Sequence, residues 1–573
     1  MKNPEVARIL YNIAIYMEMQ GEMVFKVRAY EKAAQSVEAL GEDVNEIYGK
    51  GGMKALEEIP GVGKSIAEKI EELLKTGKLK YYEALKKKIP VDVEGLRRIE
   101  GIGPKTILAL YKKLKIKNIE DLEKAAKSGK IRTLEGFGQK SEENILKGIE
   151  FMKRSSGRYV LGHILPLGKE IEKRLASLEY VKTAIVAGSF RRRKETIGDI
   201  DILVVSGEPK KVMDYFVKMP EVINVYGKGE TKSTVKLENG IDVDVRVVEE
   251  KSYGAALNYF TGSKDHNISL RRIAVEKGLK LSEYGLFKKQ KFVGGRTEEE
   301  VYKILGLRYI EPEIRENTGE IEASKKGALP KLIGYSDLKG DLQTQTSWTD
   351  GSDTIEEMAL AAKKTGLEYI AITDHTKALA MTGGLDESKI AKQGKEIDKV
   401  NEKLEGIKIL KGAEVNIMKD GHLDISDKAL SQLDIVGAAV HSNFNLSRED
   451  QTKRIISAIS NEHVDILFHP TGRIIQKREP YDADIQKIID AAKDTGTVLE
   501  IDAYPDRLDL KDEHVKLAVS SGAKLCIDSD AHNKNHFRFL EFGIAQARRG
   551  WAEKKDVINA LPLGKMLKMI KGE

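Results

Sequence analysis

Over the first 150 residues apolar positions recur at helical spacing, beginning with Val6, Ile9, Leu10 and Ile13, and Gly pairs interrupt the pattern. This periodicity predicts a run of short helices. From about residue 158 to 320 the texture changes. Runs rich in β-branched residues occupy 183–187, 199–205, 233–237 and 241–248, with helical stretches such as 169–178 between them. That mixture predicts an α+β domain. Residues 316–334, with Asn, Gly, Ser and Pro, read as a linker. Beyond them apolar strands at 369–373 and 407–410 alternate with an amphipathic helix near 387–403. Such alternation predicts a β/α barrel-like domain whose ligands sit at strand ends. The basic end, Lys565 to Lys571, reads as a weak surface helix.

A chain of 573 residues exceeds a single core, so two to four domains are expected. No apolar run is long enough to cross a bilayer. The opening stretch lacks the basic and apolar segments of a secretion signal. One cysteine, Cys526, excludes an internal disulfide and fits a reducing compartment, so a soluble cytoplasmic protein is expected. The net charge of +6 is modest, but 32% of residues are charged, and local basic patches suit a nucleic-acid partner.

Three loops of the helical region share one pattern. They are Gly61-Val-Gly63, Gly101-Ile-Gly103 and Gly136-Phe-Gly138, each with an apolar residue (Ile59, Ile99, Leu134) two positions before the first glycine and a predicted helix after it. A helix that starts after Gly-x-Gly presents free N–H groups and a positive dipole end to an anion, and glycine permits close approach. Three such loops resemble helix-hairpin-helix units, which grip DNA phosphates without reading sequence. Lys69 lies six residues past Gly63 on the helix the loop opens. A lysine of depressed pKa there could attack an abasic sugar as a Schiff base. Spacing alone fits a phosphate contact or a solvated lysine better.

The run from Gly188-Ser189 through Arg192 and Gly198 to Asp199-Ile-Asp201 carries the densest chemistry. Asp199 and Asp201 alternate on a strand and so share a face; Asp242 and Asp244 do the same in the run 241–248. Three converging carboxylates can hold two divalent cations roughly 3.5–4 Å apart for an in-line phosphoryl transfer. Mg²⁺ suits carboxylates, waters and phosphates. Gly188 and Ser189 offer a close-approach turn and a hydroxyl, with Arg192 as a cationic clamp on a triphosphate.

Here the chain resembles the family X DNA polymerases, the group of DNA polymerase beta. The Gly-Ser-Phe-Arg-Arg and Gly-Asp-x-Asp strings match their palm motif, and Tyr259-Phe260-Thr-Gly262 followed by Arg271 matches their thumb. The resemblance covers about residues 1–317 and implies template-directed gap filling with dNTPs on gapped or primer-template DNA, using Mg²⁺ or Mn²⁺. It selects Asp244 over Asp242 as the third catalytic carboxylate, because the family's Asp precedes a hydrophobic-Arg-hydrophobic tail. It also implies that Tyr259 and Phe260 line the sugar pocket, that Lys264 contacts phosphate and that Arg271 faces the template minor groove. Lys26, Tyr30 and Lys69 match the small domain that binds the 5′ side of a gap, and the family's lyase nucleophile falls on Lys69. Tyr81 stands where that pocket often has a basic residue.

Eight of the ten histidines lie after residue 330. His375, His441, His469 and His532 follow apolar strands, as do Glu414 and Asp530, and Asp350 lies near the first strand. This looks like the polymerase-and-histidinol-phosphatase (PHP) domain, matched across about 337–570. It implies a cluster of Mn²⁺ or Zn²⁺ ions and 3′–5′ exonuclease or abasic-site endonuclease activity. That family opens with His-x-His where this chain has Gln343 and Gln345. A neutral amide is a poorer ligand than imidazole, so an impaired nuclease is expected.

The expected organisation is a multidomain chain. An all-α helix-hairpin-helix region comprises a lyase-like gap-binding domain (1–90) and fingers (91–157). An α+β nucleotidyltransferase palm (158–250) and thumb (251–317) follow, then a linker (318–335) and an α/β distorted-barrel PHP domain (336–573). A monomer is expected. The rivals are a nucleotidyltransferase acting on small molecules or RNA ends, a non-catalytic scaffold on DNA ends, and a PHP phosphoesterase with the N-terminal half as a DNA tether. The first would not require the Gly loops or Tyr-Phe-Thr-Gly; the second does not need the intact carboxylate set; the third sits poorly with the missing histidines.

Overall fold

A computed structural model describes residues 1, 3–38, 40, 42–97, 99, 102–155 and 157–571. The N-terminal region is helical from Asn3–Met19 to Gln139–Ser155. Leu10, Ile13, Leu56, Ile70, Leu110 and Ile131 are fully buried in one apolar cluster that continues across position 90. Tyr16 also donates to the Val91 carbonyl at 2.9 Å, so the segments on either side of that position pack together.

The palm is a five-stranded sheet in the order Val181–Val186, Asp199–Ser206, Asp242–Val248, Lys232–Leu237, Val222–Lys228. The Asp199–Ser206 and Asp242–Val248 pair is parallel and the others are antiparallel. Strict alternation in Asp242–Val248 buries Val243, Val245 and Val247 and turns the polar positions to the other face. Helices Leu161–Ala176 and Pro209–Phe216 share the apolar core of the sheet. The thumb joins helices Tyr253–Thr261 and Lys264–Glu276 to a small antiparallel sheet and the helix Glu298–Ile304.

The segment expected as a linker carries a helix, Glu320–Lys326, packed on the thumb. Buried Glu320 fastens it, accepting from the Asn317 and Thr318 amides at 2.9 and 2.8 Å and lying 2.7 Å from His266. Its Asn and Gly serve as turn residues before a helix, which composition alone does not separate from a flexible tether.

The C-terminal domain is a seven-stranded parallel sheet in which each strand pairs with the next, from Gly340–Thr344 to Leu525–Asp528. A Thr344–Ala531 bridge and the Leu342 amide on Asp528 (2.7 Å) bring first and last strands together, so the barrel is nearly closed. The final helix, Leu563–Lys571, is not merely surface as its basic residues suggested. Its apolar positions, Met566 foremost, plug one end of the barrel, and Lys571 reaches Asp465 at 2.8 Å. Ion pairs join the two halves: His163 to Asp506 (2.6 Å) and Glu195 to Arg473 (2.7 Å). Among the described residues no helix is long and apolar enough to cross a membrane.

Candidate functional site

Parallel pairing in the palm puts Asp199 beside Asp242 and Asp201 beside Asp244, all on one sheet face. Burial raises the Asp201 carboxyl to about 7, helped by Asp199 and Asp244 and opposed by Lys232 and Arg192. Asp199 shifts upward for the same first reason, and Asp244 adds to it. Like charges gathered this way fit a cation between them. The other two acids differ. Asp244 accepts from the Thr234 hydroxyl and lies 3.3 Å from Lys232, whereas Asp242 is paired with Lys236 at 2.9 Å. Each of these two acids thus has a lysine beside it; register puts Asp244, not Asp242, next to Asp201, in the recess lined by Asp201, Asp244, Lys232, Arg246 and Phe260. Lys232 and Thr234 border it without having been singled out in the sequence, and Arg246, the arginine of the tail that selected Asp244, borders it too. Arg246 stacks 5.0 Å from the Phe260 ring, and its place two residues after Asp244 on the same strand face was the available signal.

Gly188 adopts φ 59°, and a Cβ there would come within 2.3 Å of Asp201 Oδ2. Both conformation and space demand glycine. We expect Gly188→Ala to cut nucleotide incorporation about tenfold or more and to cost about 1–2 kcal/mol of stability; steady-state extension and thermal melting check the two effects. Ser189 follows on the same short helix, Gly188–Arg191. Arg192 is engaged within the protein: Nε donates to Glu316 at 3.0 Å and Nη1 to the Thr261 carbonyl. Tyr259 is 37% exposed and meets Phe260 edge-on at 5.1 Å; Gly262 (φ 69°) ends their helix. Lys264 and Arg271 lie exposed on the next helix, and Gly198 has ordinary space around it.

In the helical region Gly63 and Gly103 cap helices Lys64–Thr76 and Pro104–Leu114, and neither cap has a side-chain hydrogen bond. Gly61 (φ 77°) lies against Lys32 and Ala33, Gly136 has φ 85°, and Gly138 precedes helix Gln139–Ser155. Gly101 lies outside the described residues. Lys69 Nζ donates to the Ser65 carbonyl and hydroxyl at 3.0 and 2.9 Å, with the rings of Tyr81 and Tyr30 at 5.2 and 5.9 Å. Burial lowers its pKa, and Glu68 and Glu72 resist. Lys26 pairs with Glu22 at 3.1 Å.

The barrel gathers the other cluster around Glu414, which is fully buried within strand Lys408–Asn416 rather than beyond its end. Glu414 Oε1 lies 2.8 Å from His469 and 3.0 Å from His441; Oε2 lies 3.4 Å from His375. Asp350 is 3.6 Å from His375 and 3.7 Å from His532. Burial works against charge on both imidazoles. Even so Glu414 and Asp350 lift His375 to about 9, and Asp530 and Asp350 lift His532 to about 10. His469 falls to about 3 through burial and the nearby Arg507 cation. Asp530 and His469 both hold positive φ, 49° and 30°. Arg507 (3.7 Å from Asp530) and Asn416 (2.8 Å from His441) complete the surroundings; the sequence offered no pattern for either.

Two triads, Asp350/His375/His532 and His375/Glu414/His441, have ligand atoms within 4.8 Å of one another. Asp350 Oδ1, His375 Nδ1 and His469 Nδ1 are buried without hydrogen-bond partners. Oxygen and imidazole donors left open in this way fit a divalent cation. The first strand does not fit so well. Gln343 and Gln345, both 0% exposed, turn their amide nitrogens to Glu414 Oε2 at 3.2 and 2.8 Å and leave their oxygens unpartnered. Two N–H donors thus occupy the glutamate oxygen a cation would need.

Family profiles match most of this architecture: a helix-hairpin-helix domain at 1–79, a SAM-like helix-hairpin-helix tandem at 93–150, the DNA polymerase beta palm at 164–236, the DNA polymerase beta thumb at 256–316 and the PHP domain at 341–503. Over 567 residues the chain is 39% identical to the DNA polymerase/3′-5′ exonuclease PolX of Bacillus subtilis (strain 168), covering 98% of each protein. Over 189 residues, 31% of this chain, it is 37% identical to 72% of a probable phosphatase of Thermoanaerobacter sp. (strain X514). DNA polymerase lambda of Rattus norvegicus is 27% identical over 288 residues, 45% of this chain and 48% of that protein. Enzymes of these polymerase and PHP families use divalent metals. This chain therefore belongs to the family X DNA polymerases, nucleotidyltransferases of the DNA polymerase beta group, in the branch that carries a C-terminal PHP domain.

Proposed function

We propose that this enzyme fills short gaps during base-excision-type DNA repair, incorporating dNTPs at a site formed by Asp199, Asp201 and Asp244. The observation that carries the reading is the convergence of three carboxylates on one sheet face beside the Gly188-Ser189 turn. Bound Mg²⁺ or Mn²⁺ would stabilise charge on the attacking and leaving oxygens. Ser189 and Arg192 donate to the triphosphate, and Tyr259 with Phe260 crowds the sugar. The primer 3′ oxygen attacks the α-phosphorus, its proton passes to Asp244, and pyrophosphate leaves. The helix starts after Gly63, Gly103 and Gly138 hold duplex phosphates on either side of the gap. Lys264 and Arg271 extend that contact along the thumb. We place the protein in the cytoplasm as a monomer. Primer extension on a one-nucleotide gap, compared with an Asp199→Asn/Asp201→Asn variant, tests the reading; extension that persists in the variant would rule it out.

Lys69 is proposed as a 5′-deoxyribose-phosphate lyase nucleophile. Its lowered pKa and its place among Tyr30, Tyr81 and Ser65 support this, since a neutral amine is the attacking form. Borohydride trapping on incised abasic DNA should fall about tenfold in Lys69→Ala, residual adducts coming from other lysines. Equal trapping by both proteins would remove Lys69 from this role.

The C-terminal domain is proposed to retain a weakened 3′–5′ exonuclease and abasic-site endonuclease centre for Mn²⁺ or Zn²⁺. Asp350, His375, Glu414, His441, His469, Asp530 and His532 would hold the ions, and Gln343 and Gln345 limit them.

A further inference from the structure

Helix Leu540–Arg549 of the C-terminal domain ends against the thumb segment Pro312–Ile314. Its last residue, Arg549, is buried and reaches across the domain boundary. Nη1 donates to the Arg192 carbonyl (2.8 Å), the Glu313 carbonyl (3.2 Å) and Glu316 Oε1 (3.1 Å), while Nη2 is held by Asp512. The same Glu316 oxygen accepts from Arg192 Nε at 3.0 Å and lies 3.9 Å from Lys194 Nζ. Burial would push the Glu316 carboxyl up, but Arg549, Arg192 and Lys194 outweigh it and hold it down.

Arg549 thus grips the nucleotide-binding element in two places. One is the carbonyl that closes the short helix Gly188–Arg191; the other is the carboxylate on which the Arg192 guanidinium rests. A carboxylate facing Arg192 alone would compete with a triphosphate for that guanidinium. A second buried guanidinium shares the charge and weakens the competing pair. We propose that Arg549 is a positioning residue for the nucleotidyl-transfer site, supplied by the PHP domain, which keeps Arg192 placed and available for the triphosphate of the incoming nucleotide. The inference rests on the gap-filling reading and adds a role for the second domain in nucleotide affinity.

Arg548 provides an internal control. It lies on the same helix and at the same boundary, but binds Glu313 and the Ile333 carbonyl (2.8 Å each) and touches neither Glu316 nor Arg192. The experiment is steady-state incorporation on gapped DNA with the full chain, separating KM for dNTP from kcat. Arg549→Gln should raise KM about tenfold with kcat within about twofold, as expected for loss of a charge-assisted contact that acts on binding. Arg549→Lys, which keeps the charge but not the fork, should recover part of that loss and serves if the glutamine variant folds poorly. In a Glu316→Gln background the Arg549→Gln change should add little, because the competing carboxylate is already gone. Arg548→Gln should leave KM unchanged. An unchanged KM in both Arg549 variants, or an equal rise in Arg548→Gln, overturns the inference. No extension by the unaltered chain would instead overturn the gap-filling reading, and this inference with it.

Discussion

Replacing Asp201 by Asn should lower single-turnover primer extension by about 10³-fold or more while binding of gapped DNA changes by less than about twofold. The asymmetry follows from the position of the residue. Asp201 is largely enclosed, next to Asp199 and Asp244 on one sheet face, and makes no ion pair that folding depends on. In the proposed reaction its carboxylate would hold the cation and face the charge that builds up during phosphoryl transfer, where loss of one pre-organised group is costly. The glycine-led helix starts proposed to hold DNA phosphates lie elsewhere. Stability should move the other way. Asp201 has a folded pKa of about 7 against an unfolded value near 3.9, so without metal the folded protein binds more protons and loses stability as pH rises between them. Asn removes that term and should leave the melting temperature of the metal-free protein at pH 8 equal or higher. The same sign means that cation binding to the unaltered chain strengthens as pH rises through about 7. Asp242→Asn, which breaks only the pair with Lys236, should change extension by less than about threefold. A large loss there, or a small one in Asp201→Asn, would show that the carboxylate set is wrongly chosen.

Much of this site was legible because strand period and chemistry coincide. Alternating acids in an apolar run can only share a face, and the runs 199–205 and 241–248 became the strands Asp199–Ser206 and Asp242–Val248. Their parallel register was not legible, since nothing in either run names its neighbour across 40 residues. Strand Val222–Lys228 went unseen because it is an edge with almost every residue exposed, so no apolar alternation marks it. Lys565–Lys571 misled for the opposite reason: charge is abundant, while a few apolar positions decide which way the helix faces. Glu414 was read as lying beyond the apolar run 407–410, but the strand continues through the glycine at 412. That glycine is needed inside the strand, packed against Thr373 and the Ile372 and Ile435 carbonyls. Contacts such as Arg549 with Glu316 join positions over 200 residues apart and depend on how two domains dock, which local pattern does not encode.

Restoring the first barrel strand to His-x-His, as Gln343→His/Gln345→His, should raise primer shortening about 10²-fold and increase the divalent metal retained after gel filtration. The reason lies in what the amides do now. Both glutamines are wholly buried, and both donate to Glu414 Oε2 while their own oxygens find no partner. Glu414 already has His441 and His469 against its other oxygen, so this carboxylate is surrounded by donors inside the protein. Imidazoles in their place would present lone pairs instead of N–H groups and release Glu414 Oε2 as a ligand atom. Even supporting residues of a metal centre are worth about 10–100-fold, and two direct ligands should reach the upper end. Polymerase activity, some distance away in the palm, should be unaffected. Bound manganese and zinc, measured by elemental analysis beside the nuclease rate, distinguish two ways of failing. Metal gained without nuclease would mean that the substrate channel, not the ligand set, is limiting. No gain in either would mean that Gln343 and Gln345 already serve the centre, and the proposed impairment would have to be abandoned.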